Sequence, residues 1–487
     1  MSLTHKARAA ISFRMADVSA LSSEFPPATR GAWLALVAKT LGDAPFESLR
    51  RSTVEGLAIE PLYEPAAGPK AFPARPFDAE RPWDIRTLTA HPDRFAANRE
   101  MLGDLEGGAA SAILKIDPSG QAGVAAGSAE DLAVALQDII LEVAPIGLDA
   151  GFLGPEAADW LGTVAKASPG ARPLFHLDPL SAFAETGASP GPIESHLVSA
   201  ATVARRLAEA YPLAQLFLAS GRVVHEAGGG EALELAFAAA AALAYAKALV
   251  RAGLPMAEAF SRITLGLAAD ADYFLAIAKL RAARLVWARI AAACGAEPGA
   301  RLEVRSSRRM LTAKDAWTNM IRLTAAGFAA AVGGADAVVL GTFTDAMGLP
   351  TAFARRQSRN VQLVLMEEAH VGRTADPAAG SGYVEALTAE IARTAWAEFQ
   401  AIEAQGGAVA ALTCGHVARK IDGALAARRD PKIVGVTAFP PAAETPAEVE
   451  RPTARPVAAP SPRLPGPDSA CPPLRPMRLA EAFETAE

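Results

Sequence analysis

Two hydrophobic patterns alternate along the chain between about residue 110 and residue 380. Short apolar or β-branched runs predict buried strands, and longer segments with helical periodicity predict amphipathic helices. The predicted strands are Ala112–Ile116, Ala144–Leu148, Pro173–Leu177, Ala214–Ala219, Ile263–Leu267, Leu302–Arg305 and Ala337–Leu340, with a possible eighth near Gly382–Ala386. The predicted helices are Ala129–Glu142, His196–Ala210, Glu231–Ala252, Tyr273–Ala293 and Lys314–Val332, followed by Thr388–Ala404.

Strands that alternate with helices predict a parallel sheet with helical connections. The number of strands favours a closed barrel over an open doubly wound sheet. No G-x-G-x-x-G follows an early strand, where a dinucleotide-binding fold usually carries it. The predicted fold class is therefore α/β, a (β/α)8 TIM-type barrel with an N-terminal extended arm and a proline-rich C-terminal tail.

Changes in composition divide the chain into four segments. The first contains an amphipathic helix, Thr29–Leu41, and a run with regularly spaced prolines, Pro61–Pro82, which predicts an extended arm that wraps onto a partner. Of the 37 residues from Pro440 to Pro476, 12 are proline, which predicts a disordered linker. The segments are 1–110 for the helix and arm, 111–440 for the barrel, 441–476 for the linker, and 477–487 for a short terminal helix.

Charge and cysteine content narrow the function classes. The 487 residues carry a formal net charge of −6, which gives no basic footprint for nucleic acid or for an anionic membrane surface. Cys294, Cys414 and Cys471 are far apart, so neither a disulfide framework nor a structural zinc site is predicted. The apolar segment 231–250 contains two glutamates and a lysine, which favours a core helix over a membrane span. We expect a cytoplasmic protein.

The strongest candidate for chemistry is SGRVVHEAGGG, which follows the predicted strand Ala214–Ala219. In a TIM-type barrel the active site lies at the carboxyl ends of the strands, so Arg222, His225 and Glu226 are well placed. His225 could act as an acid or a base. A structural histidine, hydrogen-bonded in the loop before a helix, explains the same pattern.

Other polar pairs carry weaker signals, and a structural role is favoured for each. The Walker phosphate-binding motif and the G-x-S-x-G nucleophile motif are absent from the sequence. The zinc-binding motif H-E-x-x-H is absent as well, and no metal site is predicted. The pairs are His176 with Asp178, Glu367 with His370, and Cys414 with His416.

Several long segments resemble the barrel domain of the methylmalonyl-CoA mutases. With RPWDIR (81–86) as the entry segment, the similarity extends over roughly residues 25–440. The segments are AIAKLRAARLVWARI (276–290), SSRRMLTAKDAWTNMIRLTAAGFAAAVGGADAV (306–338), LPTAFARRQSRNVQLVLMEEAHVGRTADPAAGSGYVEALT (349–388) and IVGVTAFP (433–440).

The resemblance implies an adenosylcobalamin-dependent isomerase in which an acyl-CoA threads the barrel axis. Catalytic members carry a tyrosine in the entry segment and a histidine after a later strand. Here those positions are Leu88 and Val223, with His225 as a weak substitute two residues on. Arg262 and Thr264 match a region that touches the CoA-bearing substrate, and Arg359, Asn360 and Gln362 lie in a strongly matching segment. For these residues a role in holding the barrel loops and the subunit interface together is favoured over contact with an acyl-CoA. The resemblance also implies that 477–487 is the remnant of a lead-in to a cobalamin-type domain. No D-x-H-x-x-G, the cobalt-ligating motif, occurs in these residues.

These departures resemble the family's small (β) subunit. The implied role is a structural, non-catalytic chain that forms a heterodimer with a catalytic α chain, which holds the adenosylcobalamin. No cofactor is expected on this chain alone, and an acyl-CoA ligand stays possible. Two alternatives stay open: a catalytic barrel that takes cobalamin from a separate protein, and an acyl-CoA-binding module without chemistry.

Overall fold

The computed structural model describes residues 28–66, 78, 80–428 and 431–484. The chain divides into two compact units. The small unit comprises residues up to 52 together with 58–61, and the large unit comprises 53–57 and the residues from 62 onward.

From residue 28 onward, where its description begins, the small unit contains one α-helix, a short 3-10 helix (Phe46–Leu49) and one short strand pair. Helix α1 spans Arg30–Leu41, and the Thr29 hydroxyl accepts a hydrogen bond from the amide of Ala32, which caps the helix. The predicted helix over these residues is confirmed. Arg51–Ser52 pairs antiparallel with Ala58–Ile59.

The large unit is built on eight parallel strands that close into a barrel. Each strand pairs with its neighbour in the sequence, and β8 pairs with β1 to complete the ring. The predicted fold class, a (β/α)8 barrel, is thereby confirmed. The strands are β1 (Asp84–Thr89), β2 (Ser111–Lys115), β3 (Ile146–Asp149), β4 (Leu174–Leu177), β5 (Gln215–Ser220), β6 (Ile263–Ala269), β7 (Arg301–Ser306) and β8 (Ala337–Val339).

Seven predicted strands match β2 to β8, but the predicted eighth is wrong. Residues Gly382–Ala386 begin a helix, and the Ser381 hydroxyl caps it. The strand that closes the barrel is β1, which the sequence analysis treated only as an entry segment. Its polar residues Asp84 and Arg86 conceal the apolar run expected of a buried parallel strand. The barrel therefore begins at Asp84, and the boundary placed at residue 110 is wrong.

Helices surround the barrel and cover its outer face. Each helix predicted from Ala129 to Ala404 begins within about six residues of the observed start, and the helix starting at Ala129 is shorter than expected. The helices are α2 (Arg94–Glu106), α3 (Ala129–Ala135), α4 (Gly154–Val164), α5 (Pro179–Thr186), α6 (Ile193–Ala210), α7 (Arg222–Glu226), α8 (Glu231–Arg251), α9 (Met256–Ser261), α10 (Tyr273–Ala293), α11 (Asn319–Val332), α12 (Ala352–Leu363), α13 (Gly382–Ala404), α14 (Ala408–Thr413) and α15 (His416–Ala427).

Helix α8 is long and apolar enough to cross a membrane by length and composition. Most of its residues are buried inside the protein, and Tyr245 stacks on Phe217 of β5 with ring centroids 4.6 Å apart. A helix that is apolar on all sides is typical of a protein core. This burial agrees with the core helix expected from the sequence.

The proline-rich tail does not form the disordered linker that its composition predicts. It runs as an extended segment over the loops that follow the barrel strands. The amides of Val457, Leu464, Met477 and Leu479 donate to carbonyls of those loops, and Cys471 and Leu474 are buried. Proline favours an extended backbone, which suits a segment bound along a surface as well as a free linker.

The ends of this tail are held by short elements. Val449–Glu450 pairs with Leu349–Pro350, and Ser469–Ala470 pairs with Ala188–Ser189. A final short helix, α16 (Glu481–Glu484), lies where the terminal helix is predicted. The Glu484 carboxylate accepts the amides of two residues in the loop after β7.

The predicted N-terminal arm, Pro61–Pro82, lies partly outside the described residues. Residues 67–77 and 79 lie outside the described residues, and 61–66 and 80–82 form no regular element. That the arm wraps onto a partner stays a prediction.

A buried carboxylate attaches α12 to the first βα unit. Asp104 of α2 is 2% exposed and pairs with the guanidinium groups of Arg355 and Arg359, the second at 2.6 Å. Arg355 also donates to the Leu88 carbonyl. These contacts give Arg359 the fold-holding role that the sequence analysis allowed for.

We expect Asp104→Ala to lower the free energy of unfolding by about 3–5 kcal/mol, because it leaves two buried guanidinium groups short of a counter-charge. Urea denaturation of both proteins measures this difference. In the control Asp159→Ala, which removes a half-exposed ion pair with Arg206, the loss should stay within about 1 kcal/mol. Equal effects in the two variants would contradict the proposed attachment.

Burial of Leu474 predicts how the tail responds to protease. The wild-type chain should resist trypsin after Arg478, because the next amide, of Leu479, is bonded to the Arg309 carbonyl. Leu474→Ser should speed this cut by weakening the tail's attachment, and mass spectrometry detects the lost C-terminal peptide. The exposed change Ala459→Ser is the control. Rapid cutting of the wild-type chain at Arg478 would mean that the tail is free.

Candidate functional site

Charged side chains fill the axis of the barrel. Glu303 of β7 accepts from Arg86 of β1 at 2.6 Å and from Arg305 of its own strand at 2.9 Å. Arg86 also pairs with Asp84 at 2.6 Å and donates to the Ser111 hydroxyl of β2. Barrel interiors of this fold are normally packed with branched apolar residues, so an ionic filling is a departure.

One ion pair crosses the full width of the barrel. Arg305 of β7 donates to Asp149 of β3 at 2.9 Å, and these two strands lie four positions apart in a ring of eight. Side chains from opposite strands can meet only on the axis. Below this pair, His176 of β4 and Ile113 of β2 pack tightly against Gly147, because a Cβ added there would lie 3.2 Å from both. The axis is therefore closed at this level.

Burial sets the charge states of this network. Burial alone would raise the pKa of Glu303, but Arg305, His176 and Arg86 outweigh it and hold that pKa far below its usual range. Burial lowers the pKa of His176 to about 4, although Glu303 opposes the shift. Glu303 is thus a carboxylate and His176 a neutral imidazole at neutral pH, and Glu303 is the shared partner of Arg86 and Arg305.

Above the closed axis lies a cavity of about 180 Å³ at the carboxyl ends of the strands. We call it the mouth cavity. Arg305 and His176 form part of its lining, as do Val223 and Arg222 of α7. Pro476 of the tail also lines it. The other lining residues are Lys115, Leu148, Asp149, Ala150, Gly151, Asp178, Ser181, Ala182, Glu185, Leu218, Ser220, Glu226 and Arg308.

Val223 and His225, which are two residues apart in the sequence, lie in different environments in the structure. After β5 the chain turns directly into α7, so Val223 and His225 point in different directions. Val223 lines the mouth cavity, whereas His225 is fully buried outside it and bonds to the Ser307 hydroxyl at 2.9 Å. These contacts are those of a structural histidine, the second interpretation of this loop, and a role for His225 as an acid or a base stays a prediction. Leu88 lies near the end of β1 and is partly buried.

His225 belongs to a second buried ionic cluster, between the barrel wall and the helices. Its Nδ1 atom is 3.2 Å from Glu234, which also pairs with Lys279. Burial, together with Arg309 and Lys279, lowers the pKa of His225 well below its usual value. The imidazole is consequently neutral.

The same cluster contains three side chains with the composition of a metal site. His225, Glu231 and Asp270 place their ligand atoms within 4.8 Å of one another. Arg309, however, donates to Asp270 at 3.1 Å, and Lys279 lies beside Glu234. Arg309 therefore already pairs with one of the three ligands, and both cations would repel a divalent ion there. We assign no metal to this cluster.

Arg262 and Thr264 lie at the opposite end of the barrel, where β6 begins. Arg262 donates to the Ala214 carbonyl at 3.1 Å and pairs with Glu258 at 3.2 Å. The Thr264 hydroxyl lies 3.4 Å from the Gln215 side chain. Both side chains thus have partners within the barrel base, and their contact with a CoA ester stays a prediction.

The remaining candidate pairs do not assemble into sites. Glu367 lies in a widened helical turn, Val364–Glu368, and His370 has φ 53°, so the two do not share a helix face. Cys414 and His416 lie on either side of Gly415, which separates α14 from α15. Asp178 caps α5, and His176 is part of the axis network.

The ionic network of Arg86, Glu303 and Arg305 in the barrel axis was not predicted from the sequence. Its signal was present: D-I-R at 84–86 and E-V-R at 303–305 put opposite charges two residues apart, on one face of a strand. Such pairs are unusual in parallel strands buried on both sides. Their partners on other strands, Asp149 opposite Arg305 and Ser111 beside Arg86, follow only from strand order.

The fold and this site define an α/β barrel protein whose axis is filled by ion pairs beneath a polar mouth cavity. A sequence model of the family described as methylmalonyl-CoA mutase matches residues 80–459. The chain belongs to the methylmalonyl-CoA mutase family, whose members are isomerases.

Three relatives place the chain within this family. The methylmalonyl-CoA mutase small subunit of Streptomyces virginiae is 38% identical over 90% of this chain and 75% of its own length. The small subunit of Propionibacterium freudenreichii subsp. shermanii is 36% identical over 86% of this chain and 70% of its own length. The methylmalonyl-CoA mutase of Cereibacter sphaeroides is 30% identical over 86% of this chain and 65% of its own length.

Asp178 provides a test of the buried charges at the mouth cavity. Burial raises its pKa from 3.8 to about 7, so the folded state binds more protons than the unfolded state between these values. Asp178 therefore lowers stability as pH rises through this window. We expect the stability of Asp178→Asn relative to wild type to increase by roughly 2 kcal/mol from pH 5 to pH 8.

Urea denaturation at the two pH values measures this change. The introduced carboxamide would keep an oxygen that accepts from the Tyr245 hydroxyl, so the fold should survive. Asp159→Asn, at a half-exposed site, should show no such trend. A pH-independent difference for Asp178→Asn would contradict a buried carboxyl with a raised pKa.

Proposed function

We propose that this chain is the non-catalytic small subunit of an adenosylcobalamin-dependent methylmalonyl-CoA mutase. It forms a heterodimer with a catalytic α chain, and the complex interconverts methylmalonyl-CoA and succinyl-CoA. The ion pairs that fill the barrel axis carry this proposal. An acyl-CoA cannot thread an axis in which Arg305 and Asp149 meet from opposite strands.

The residues at the mouth support the same conclusion. Leu88 and Val223 occupy the positions where the resemblance implies a tyrosine and a histidine. Neither side chain can donate a proton or a hydrogen bond. The catalytic contacts for a radical rearrangement would then come from the partner chain.

The described residues at this face do not fit a cobalamin. The tail crosses the loops after β5 and β7, where the amides of Met477 and Leu479 bond to the carbonyls of Glu226 and Arg309. A planar macrocycle lying over the mouth would have to displace this segment. We therefore propose that the partner chain holds the cofactor.

A catalytic barrel served by a separate cobalamin protein is the main alternative. It would need an open axis for the substrate and a free mouth for the cofactor, and both conditions conflict with the contacts described above. An acyl-CoA-binding module needs the open axis as well. The small-subunit function needs neither, and it agrees with the higher identity to relatives named small subunits.

Restoring the two family residues tests whether the closed axis matters. We expect Leu88→Tyr combined with Val223→His to give no turnover of methylmalonyl-CoA with adenosylcobalamin, because the ion pairs below still block the substrate. The assay is formation of succinyl-CoA by the purified chain. Turnover by this variant, or by the wild-type chain alone, would contradict the proposal.

Co-expression with a catalytic α chain tests the partnership. A 1:1 complex on size-exclusion chromatography with activity is expected, and the double variant should support the same activity as wild type. A chain that never associates with an α chain would contradict the heterodimer. Fractionation of cells tests the cytoplasmic location that we propose for the complex.

A further inference from the structure

The mouth cavity contains a cation that the protein itself leaves without a partner. Arg222 of α7 lines the cavity, and in the described part of the chain its side chain has no hydrogen bond and no ion pair. Its Nε atom is buried and unsatisfied. Of the five donors of this guanidinium group, the one on Nε is thus buried without an acceptor, which is costly.

We propose that the mouth cavity is a binding site for a small dianion of the carboxylate or phosphate type, with Arg222 as its main contact. This site is independent of the proposed function, because it takes a compact ligand and no CoA ester. Lys115, at the end of β2, supplies the second positive charge.

The carboxylates around the cavity cannot serve as the missing partner, because each is used elsewhere. Asp149 pairs with Arg305. Glu226 accepts the backbone amides of Arg308 and Arg309 through its two oxygens. Arg222 therefore lies among carboxylates whose oxygens face other donors.

The Asp178 carboxyl group also accepts its hydrogen bonds from groups other than Arg222. It accepts from the Tyr245 hydroxyl and the Ser181 amide, and burial raises its pKa, so it carries less than a full charge at neutral pH. Glu185 is exposed to solvent and is screened by it. The positive charge of Arg222 is consequently left without a dedicated counter-ion.

Lys115 reinforces this positive charge. Its ammonium group lines the cavity and has no hydrogen bond or ion pair among the residues that the structure describes. Burial and then Arg305 lower the pKa of Arg222, although the charges of Glu226 and Asp149 oppose the shift without forming a hydrogen bond or ion pair with its guanidinium group. Two unpaired cations in one cavity fit a ligand with two negative charges.

The size of the cavity restricts the ligand. Its volume of about 180 Å³ corresponds to roughly six waters at about 30 Å³ each. The axis network closes it below, and Pro476 of the tail narrows it above. A phosphate or a short dicarboxylate fits this space, whereas the nucleotide and pantetheine parts of a CoA ester have no path through the axis.

Isothermal titration calorimetry of the full chain at constant ionic strength tests the site with two probes, malonate and inorganic phosphate. We expect at least one of them to bind the wild-type chain, with the monoanion propionate binding more weakly. Arg222→Gln should weaken binding about tenfold or more, and Lys115→Met should weaken it less. The exposed change Arg393→Gln is the matched control and should leave affinity unchanged.

Thermal unfolding without ligand separates this role from a structural one. If Arg222 has no counter-ion until an anion binds, Arg222→Gln keeps or raises the unfolding temperature of the free chain. Added malonate or phosphate then stabilises only the wild-type chain. If Arg222 serves mainly to balance Asp149 and Glu226, the variant unfolds at a lower temperature and neither anion matters. Absence of binding by both anions at millimolar concentrations, or equal affinity in Arg222→Gln, would overturn the proposal.

Discussion

The ion pair between Arg305 and Asp149 constrains the rest of this molecule. Because it joins opposite strands of an eight-stranded ring, it can form only if the axis is filled, and Glu303 and Arg86 complete that filling with matched charges. A buried charge without its partner is strongly destabilising, so these residues depend on one another. The network converts a barrel that could admit a long ligand into a solid support, and it also forms the floor of the mouth cavity.

The tail acts at the opposite side of that cavity. A proline-rich segment has little conformational entropy to lose on binding, so a modest number of backbone hydrogen bonds and buried residues such as Leu474 can hold it in place. It passes over the loops after several strands and ends with Glu484 accepting amides in the loop after β7. The face that a catalytic barrel of this family would turn toward a cofactor is therefore engaged by the chain itself.

Much of the barrel could be predicted from the sequence, because β2 to β6 and β8 have apolar runs of the expected length, and β7 keeps Leu302 and Val304 between its charged residues. The eighth could not, since Asp84 and Arg86 of β1 point into the axis and remove the usual signal. Composition misled for the tail, because proline content does not distinguish a free segment from one bound along a surface. The positions of Leu88 and Val223 could be inferred from family resemblance, but the separation of Val223 from His225 depends on where β5 ends and α7 begins.

The number of acyl-CoA molecules bound by the complex tests the closed axis most directly. Equilibrium dialysis of a 1:1 complex with a catalytic α chain, using a non-reactive CoA thioester, gives that number. If the axis of this chain is closed, we expect one bound thioester per heterodimer, held by the α chain, and none on this chain alone. Two per heterodimer, or saturable binding to this chain by itself, would contradict it.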